Sequence, residues 1–217
     1  SIISFYKFNT VKDQINILIY SDKPSFFKEI LPPTVQFHVI DTQQINDWKG
    51  PLNYIYRLKT KLLQEVCATY TGNFLFVDTD TVFLKNSISL FKEIEAGELL
   101  LDANEGKLFD NKGGIAKKIK RFLKKQNTFT IRSDETTITL TDQFVVWNSG
   151  TIGFTNAVHK TLISIEELMD LLYDKSKIFI AEQIALSYYF QKINQPKETK
   201  DFIHHYWDFK EFRSVLN

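Results

Sequence analysis

Short apolar runs alternate with longer amphipathic segments along the first eighty residues. Ile15–Tyr20, Val35–Ile40 and Phe74–Val77 are short, continuous and apolar, which predicts buried strands. Phe26–Ile30 predicts a short helix, and Tyr54–Tyr70 repeats apolar residues every three to four positions, as a helix lying on a sheet does. The order strand–helix–strand–helix–strand is typical of a parallel sheet covered by helices on both faces.

The chain opens with a different element. Ser1–Phe8 has the amphipathic pattern of the end of a helix, whereas a domain of this kind normally begins with a buried strand. We therefore expect that the first strand of the sheet is missing from this chain.

The pattern changes after residue 100. Thr128–Leu140 alternates as a β-hairpin does, and no internal repeat or linker divides the chain. The segments predicted beyond the hairpin are two strands and two helices: Phe144–Trp147, Thr151–Phe154, Leu162–Tyr173 and Glu182–Phe190.

Composition and charge exclude several classes of protein. With 14% aromatic residues and 27 basic against 26 acidic side chains, the chain is neither disordered nor globally attracted to nucleic acid. Its apolar runs stop far short of the roughly 20 residues that a membrane span needs. Cys67 is the single cysteine, so no intramolecular disulfide can form, and the cytoplasm is the expected compartment.

Two carboxylates follow the strongest predicted strand. Asp78 and Asp80 share a face of an extended chain, at the strand end where open α/β sheets bind ligands. Both can approach one divalent cation, which prefers the same hard oxygens as a diphosphate. The structural alternative is that they cap the turn after the strand.

The same residues also fit the haloacid-dehalogenase phosphatase motif, in which Asp78 would be a nucleophile and Asp80 a general acid. That family carries the motif on its first strand and has a later acidic pair. Here the motif lies on about the third strand and no such pair follows, which counts against a phosphatase.

Four motifs in order point to one family. FLFVDTDTVFLKN, WNSGTIGF, AEQIALSYYF and HHYWDFKEF together resemble the GT-A-fold glycosyltransferases, above all the retaining group that contains glycogenin and the bacterial lipopolysaccharide galactosyltransferases. The resemblance implies an α/β fold with a mostly parallel sheet flanked by helices and a smaller mixed region on the acceptor side. It implies one catalytic domain over 1–217, with a nucleotide-binding half at 1–100 and a donor-sugar and acceptor half at 101–217.

The resemblance implies a metal site for Mn²⁺ or Mg²⁺. Asp78 would contact the ribose and the metal, Asp80 would bind the metal through both oxygens, and Thr79 between them would lie against the nucleotide. His204 and His205 both remain open as the third ligand, and His205 fits the family pattern better. The structural alternative is one buried histidine in a packed strand. Lys210 would contact the diphosphate.

The remaining motifs imply contacts with the donor. Asn148, Ser149 and Gly150 would lie against the donor sugar, Glu182 would bind its hydroxyls and Gln183 would face the anomeric carbon. A plain turn and an acidic first turn of a helix are the structural alternatives.

Arg57 and Lys61 share one face of the helix before the Asp-x-Asp strand. In the resembling family this helix supplies a base that steadies the donor phosphates or sugar. A solvated charged face is the structural alternative.

Residues 115–125 combine an apolar stripe with six basic residues. Ile115, Ile119, Phe122 and Leu123 form the stripe, and no acidic residue lies within the segment. This pattern indicates a helix on an anionic membrane surface or against a phosphorylated acceptor. A surface helix with a lysine-rich face is the alternative, and nucleic acid is disfavoured because stacking aromatics are absent.

We therefore expect a metal-dependent glycosyltransferase that moves a hexose from a nucleotide-diphosphate sugar, UDP-linked by preference, to a hydroxyl with retention. The acceptor would be a glycan or a lipid-linked molecule of the cell envelope, reached from the cytoplasm or the membrane periphery. The alternatives are the phosphatase, a sugar-phosphate nucleotidyltransferase and a non-catalytic sugar-nucleotide-binding module.

Overall fold

The computed structural model describes residues 1–9, 15–110 and 113–207, which form a mixed α/β fold. Its helices are α1 (Ile2–Phe8), α2 (Ser25–Lys28), α3 (Thr42–Lys49), α4 (Arg57–Thr69), α5 (Ile88–Glu95), α6 (Gly114–Leu123), α7 (His159–Ser176) and α8 (Ala181–Ile193). Its strands are β1 (Leu18–Ser21), β2 (Gln36–Val39), β3 (Asn73–Val77), β4 (Thr81–Phe83), β5 (Leu100–Leu101), β6 (Asn104–Lys107), β7 (Thr128–Ile131), β8 (Thr136–Thr139), β9 (Val145–Trp147), β10 (Thr151–Thr155), β11 (Lys197–Glu198) and β12 (Ile203–His205).

The segments that the hydrophobic pattern predicted all form, with ends that differ by a few residues. β2 is not the buried strand that we expected, because it pairs with β1 in a separate two-stranded sheet and leaves Gln36 and Val39 exposed. Local signals explain where several of them stop. Asp41 caps α3 by accepting a hydrogen bond from the Gln44 backbone N–H, and Gly50 ends that helix at a positive φ of 65°. Hairpin β7–β8 pairs Thr128 with Thr139, as its alternation indicates.

The sheets are only partly parallel. Within the described residues a four-stranded sheet has the order β11-β5-β10-β3, and β10 runs antiparallel to both of its neighbours. In the part of the chain that the structure describes, parallel pairing is confined to β1 with β2 and β11 with β5. The mostly parallel sheet that we expected is therefore not shown. Thr151 pairs with Val77, so the chain enters β10 at the carboxyl end of β3 and has to run back along it.

Among the described residues, two clusters of buried apolar side chains hold the elements together. The larger one joins residues of both halves of the chain, including Leu63 of α4, Phe154 of β10 and Phe190 of α8. The smaller one packs Phe5 of α1 against Phe83 of β4. Because the larger cluster spans residues 54–190, neither half is packed independently, although the division into two halves stays a prediction. Among the described helices, none combines the length and apolarity needed to cross a membrane.

Residues 115–123 of the basic segment lie in α6, and the described part of its apolar stripe turns inward. Ile119 and Leu123 are buried in the larger cluster, and Phe122 packs against it; the side chain of Ile115 lies outside the described set. These three residues of the stripe are packed against the core, so contact of this segment with an anionic membrane, which stays a prediction, would not rest on their insertion. Its solvent-facing side is basic, with Lys117, Lys118, Arg121, Lys124 and Lys125 exposed.

Candidate functional site

The Asp-x-Asp turn connects β3 to β4. The Asp78 backbone N–H donates to the Gly150 carbonyl at 2.8 Å, and the Thr81 hydroxyl donates to the Asp78 carbonyl at 2.7 Å. These bonds hold the turn so that the Asp78 and Asp80 side chains are partly buried while Thr79 is exposed. The turn thus presents two carboxylates at the carboxyl end of β3.

Strand pairing selects between the two adjacent histidines. β12 lies antiparallel to β4, with His204 opposite Val82 and His205 opposite Thr81. Because neighbouring residues of a strand point to opposite faces, His205 turns toward the carboxylates and His204 is exposed. His205 Nε2 lies 3.3 Å from Asp80 Oδ1 and 3.9 Å from Asp78 Oδ2.

The opposite edge of the His205 ring is held by two polar side chains. Its Nδ1 lies 3.2 Å from Asp102 Oδ2 and 3.1 Å from Asn148 Oδ1. Burial lowers the pKa of His205, but the hydrogen bond and charge of Asp102, together with the charges of Asp80 and Asp78, raise it, and the pKa is raised overall. A carboxylate on one imidazole nitrogen is the arrangement that fixes the ring of a metal-binding histidine and directs its other nitrogen.

Gly150 makes room for this ring. A Cβ atom at position 150 would lie 2.0 Å from His205 Nδ1, a separation that real side chains do not reach. We expected Gly150 to lie against the donor sugar. In the structure the imidazole of His205 fills the space over its Cα.

Asp78, Asp80 and His205 form a group that suits a divalent cation. One ligand atom from each of them lies within 4.8 Å of the other two. Two carboxylates with one imidazole suit Mn²⁺, whereas Mg²⁺ prefers oxygen ligands alone. The residues therefore suit a divalent cation, for which the sequence predicts Mn²⁺ or Mg²⁺, and the imidazole favours Mn²⁺ of the two.

Lys59 of α4 connects the Asp-x-Asp turn to α8. Its ammonium group donates to Asp78 Oδ2 at 3.0 Å and to the Ser149 carbonyl at 2.9 Å, and it lies 3.9 Å from Glu182 Oε1. The lysine side chain is 10% exposed and that of Glu182 is 4% exposed. Burial alone would lower the pKa of Lys59, but the charges of Glu182 and Asp78 raise it, so it remains a cation.

Glu182 is buried at the start of α8. The Ser149 hydroxyl donates to its Oε2 at 3.1 Å, while its Oε1 has no hydrogen-bond partner in the part of the chain that the structure describes. Burial raises the pKa of Glu182, and Lys59 opposes that rise. An unpartnered buried carboxylate oxygen is costly in a protein and is therefore a candidate contact for a ligand.

Glu105 of β6 joins two amide side chains that the sequence had selected. It accepts from Asn148 Nδ2 at 2.9 Å and from Gln183 Nε2 at 2.7 Å. A carboxylate can only accept, so both amides must direct nitrogen toward it. The Asn148 oxygen is consequently directed at the Gly150 N–H and at His205.

Arg57 and Lys61 lie away from the carboxylates of the turn. Arg57 is paired with Asp170 at 3.1 Å and with Glu166, and Lys61 is paired with Glu166 at 3.2 Å. Both residues thus connect α4 to α7. Lys59 lies two residues from each, on another side of the helix, and faces the Asp-x-Asp turn.

The outcome for the expected residues is mixed. The structure brings together Asp78, Asp80, Asn148, Ser149, Gly150, Glu182, Gln183 and His205, whereas Lys210 lies outside the described residues. It adds three charged residues that sequence reasoning missed, Lys59, Asp102 and Glu105. A signal existed for Asp102, because it directly follows the apolar run Leu99–Leu101, as Asp78 follows its own strand.

Comparison with known protein families gives a match. A family model described as nucleotide-diphospho-sugar transferase matches residues 21–162, which is well over half of the chain and includes the Asp-x-Asp turn and Asn148–Gly150. Lys59, Asp102 and Glu105 also lie within the matched region. No curated protein is similar enough to count as a match.

Proposed function

The chain belongs to the nucleotide-diphospho-sugar transferase family, and we propose that it moves a hexose from a UDP-sugar to a hydroxyl group with retention at the anomeric carbon. Family membership supports the coarser part, sugar transfer from a nucleotide donor to an acceptor by an enzyme. The observation that carries the rest is the group of Asp78, Asp80 and His205 at the end of β3.

Asp78, Asp80 and His205 would hold the cation, Mn²⁺ in preference to Mg²⁺. When bound, it neutralises charge that accumulates on the diphosphate as the glycosidic bond breaks. Asp102 and Asn148 keep the His205 ring in place through Nδ1. Thr79 is exposed beside the turn, where the nucleotide would lie, and Lys210 remains the proposed contact of the diphosphate.

Lys59, Glu182 and Ser149 form the wall for the donor sugar. Burial raises the pKa of Glu182 and the nearby Lys59 opposes that rise, while Glu182 Oε1 can accept a hydrogen bond from a sugar hydroxyl. Lys59 also supplies a buried positive charge beside Asp78, close to where the diphosphate would lie.

Gln183 supplies an oriented dipole. Glu105 holds the Gln183 amide nitrogen, so the carbonyl oxygen of Gln183 points away from Glu105. An amide oxygen directed at the anomeric carbon stabilises the positive charge that develops there.

The surroundings of Glu182 support the proposal of retention. Glu182 is engaged by Lys59 and Ser149, so it is a poor candidate for removing the acceptor proton. We infer that the acceptor oxygen attacks on the face from which the diphosphate leaves. The bond from C1 to the phosphate oxygen breaks, the bond from C1 to the acceptor oxygen forms, and the acceptor proton passes to the departing phosphate.

The group of glycogenin and the lipopolysaccharide galactosyltransferases is the subfamily that we propose. Supporting it, residues from the Asp-x-Asp, Asn-x-Gly and Glu-Gln motifs and from the late histidine converge in one site. The proposed acceptor is a glycan or a lipid-linked molecule of the cell envelope. Because the apolar stripe of α6 is buried, any contact with an anionic membrane at the cytoplasmic periphery would be made by its basic face alone.

The test is product analysis. UDP-hexoses with an α-linkage are incubated with the protein and Mn²⁺, with and without chelator, and the first product is examined by proton NMR. We expect donor hydrolysis and transfer only with the metal and an α-linked product. A β-linked product would contradict retention and make Glu182 a candidate base, whereas release of phosphate from a simple aryl phosphate would favour the phosphatase.

A further inference from the structure

Two exposed aromatic rings lie together beside the catalytic candidates. Tyr56 directly precedes α4, and Phe179 lies two residues before α8. Their ring centroids are 6.3 Å apart, and the two residues are 43% and 47% exposed. Two rings that touch each other and still face solvent form an apolar surface without a covering element in the described residues.

The positions of these rings are tied to the site by short connections. Tyr56 precedes Lys59 by three residues and accepts its backbone N–H at 3.2 Å, so the two share one side of the helix. Phe179 precedes Glu182 by the same three residues. Lys59 and Glu182 approach each other in the protein interior, near the start of α4 and the start of α8. The rings of Tyr56 and Phe179 approach each other at the surface, next to the same two helix starts.

The buried Tyr54 holds the segment of Phe179 and the start of α8 in place. It is buried, its hydroxyl donates to the Phe179 carbonyl, and the same oxygen accepts the Glu182 backbone N–H at 3.2 Å. Its ring also stacks on Tyr173 with centroids 4.0 Å apart. The segment that carries Phe179 is therefore held against the start of α4.

Resting on the proposed function, we propose that Tyr56 and Phe179 form the acceptor subsite and that the acceptor presents a pyranose ring to them. A pyranose has an apolar face of C–H groups that stacks on aromatic rings, while its hydroxyls point outward. The Tyr56 hydroxyl can donate to or accept from those hydroxyls. Exposed apolar clusters mark binding surfaces, and two rings match one sugar better than an acyl chain, which needs a longer apolar surface.

Saturation-transfer NMR tests this assignment on the whole chain with UDP and Mn²⁺ present. The probes are methyl hexopyranosides and methyl glycosides of disaccharides, with sodium octanoate as the aliphatic comparison. The variants are Tyr56→Ala, Phe179→Ala and the double substitution. Tyr56→Phe and Phe179→Tyr keep the rings, and Phe26→Ala removes an exposed ring elsewhere.

We expect at least one glycoside to receive saturation on its C–H face in the wild type. The double alanine variant should bind it about tenfold more weakly, because the ring contacts are lost. Phe26→Ala should retain the signal in full. Tyr56→Phe and Phe179→Tyr keep the stacking rings, so each should weaken glycoside binding by less than the double alanine variant does. UDP binding, followed in the same samples, should stay within about twofold.

Three results would overturn the assignment: an equal glycoside signal in the double alanine variant, no glycoside signal in a wild type that binds UDP, or a variant-sensitive signal from octanoate alone. If the wild type does not bind UDP in the presence of Mn²⁺, that is a separate result, because it contradicts the proposed function itself.

Discussion

The imidazole ring of His205 occupies the space that a side chain at position 150 would need. A Cβ atom there would lie 2.0 Å from Nδ1 and 2.4 Å from Cε1 of His205. The absence of a side chain in the turn between β9 and β10 therefore makes room for a ring on the last described strand, β12. More than fifty residues separate Gly150 from His205 in sequence. This contact directs the ring at Asp80 on its other edge.

Gly150→Ala is expected to displace His205 and weaken binding of Mn²⁺ by about ten- to a hundredfold, the usual effect of disturbing the support of a metal ligand. Isothermal titration of the metal measures it. His205→Ala should weaken binding comparably, and His204→Ala, which changes the exposed neighbour, should not. Equal metal affinity in the His204 and His205 variants would contradict the assignment.

Lys59→Met is expected to destabilise the fold by about 3–5 kcal/mol, because Asp78 and Glu182 then lose their buried counterion. Urea unfolding measures the change. Lys61→Met removes a cation on the same helix from a more exposed pair with Glu166, and should cost less than about 1 kcal/mol.

The double variant Lys59→Met/Glu182→Gln should be more stable than the sum of the two single changes predicts, because the uncompensated charge is gone. Additive effects would mean that the two groups do not act as a pair.

Glu105→Gln is expected to lower kcat by about tenfold with little change in the donor KM. A glutamine at this position can donate a hydrogen bond as well as accept one, so the Gln183 amide is free to rotate by 180°. Steady-state kinetics with a UDP-hexose measure both constants, and Glu95→Gln on the exposed face of α5 is the matched control. A change in KM alone, or no change, would show that Glu105 does not orient the amide during the reaction.

Glu167 gives a pH-dependent contribution to stability. Burial alone would raise its pKa, but hydrogen bonds from the Arg132 and Ser133 backbone N–H groups lower the pKa below its usual 4.5. A carboxyl with a lowered folded-state pKa stabilises the protein above its unfolded-state pKa, and the contribution is lost as the pH falls through the folded-state value.

The difference in unfolding free energy between wild type and Glu167→Gln should therefore be largest near neutral pH and shrink below about pH 4.5. Urea titrations at a series of pH values measure it. A difference that grows on acidification would reverse the sign of the argument.

The sequence predicted residues of the candidate site where a short motif is enough to determine how its side chains are arranged. Asp78 and Asp80 share a face because successive side chains of an extended chain point to opposite sides. The sequence Asn148–Gly150 favours a turn through its own residue types. His205 was preferred over His204 by resemblance, and strand pairing supplies the physical reason, since β12 places only one of them on the face of the carboxylates.

The sequence did not predict contacts that depend on how a helix is rotated about its axis or on pairing between distant strands. Arg57, Lys59 and Lys61 are all cations on one helix, and only the packing of α4 against α7 and β3 determines that Lys59 faces Asp78. Strands of two or three residues, such as β5 and β11, are too short to show a period. The direction of β10 could not be read either, because apolarity marks a strand but not its orientation.

The most direct test of the central claim is the thermal unfolding midpoint with UDP in Mn²⁺ and in chelator, for the wild type and Asp80→Asn. A ligand at a hundred times its Kd stabilises a fold by about 2.7 kcal/mol, so UDP with Mn²⁺ should raise the wild-type midpoint by several degrees. That rise should disappear in chelator and in Asp80→Asn, and it should persist in the exposed control Asp22→Asn. An equal rise with UDP in chelator, or none with Mn²⁺, would contradict a metal-assisted nucleotide site at Asp78, Asp80 and His205.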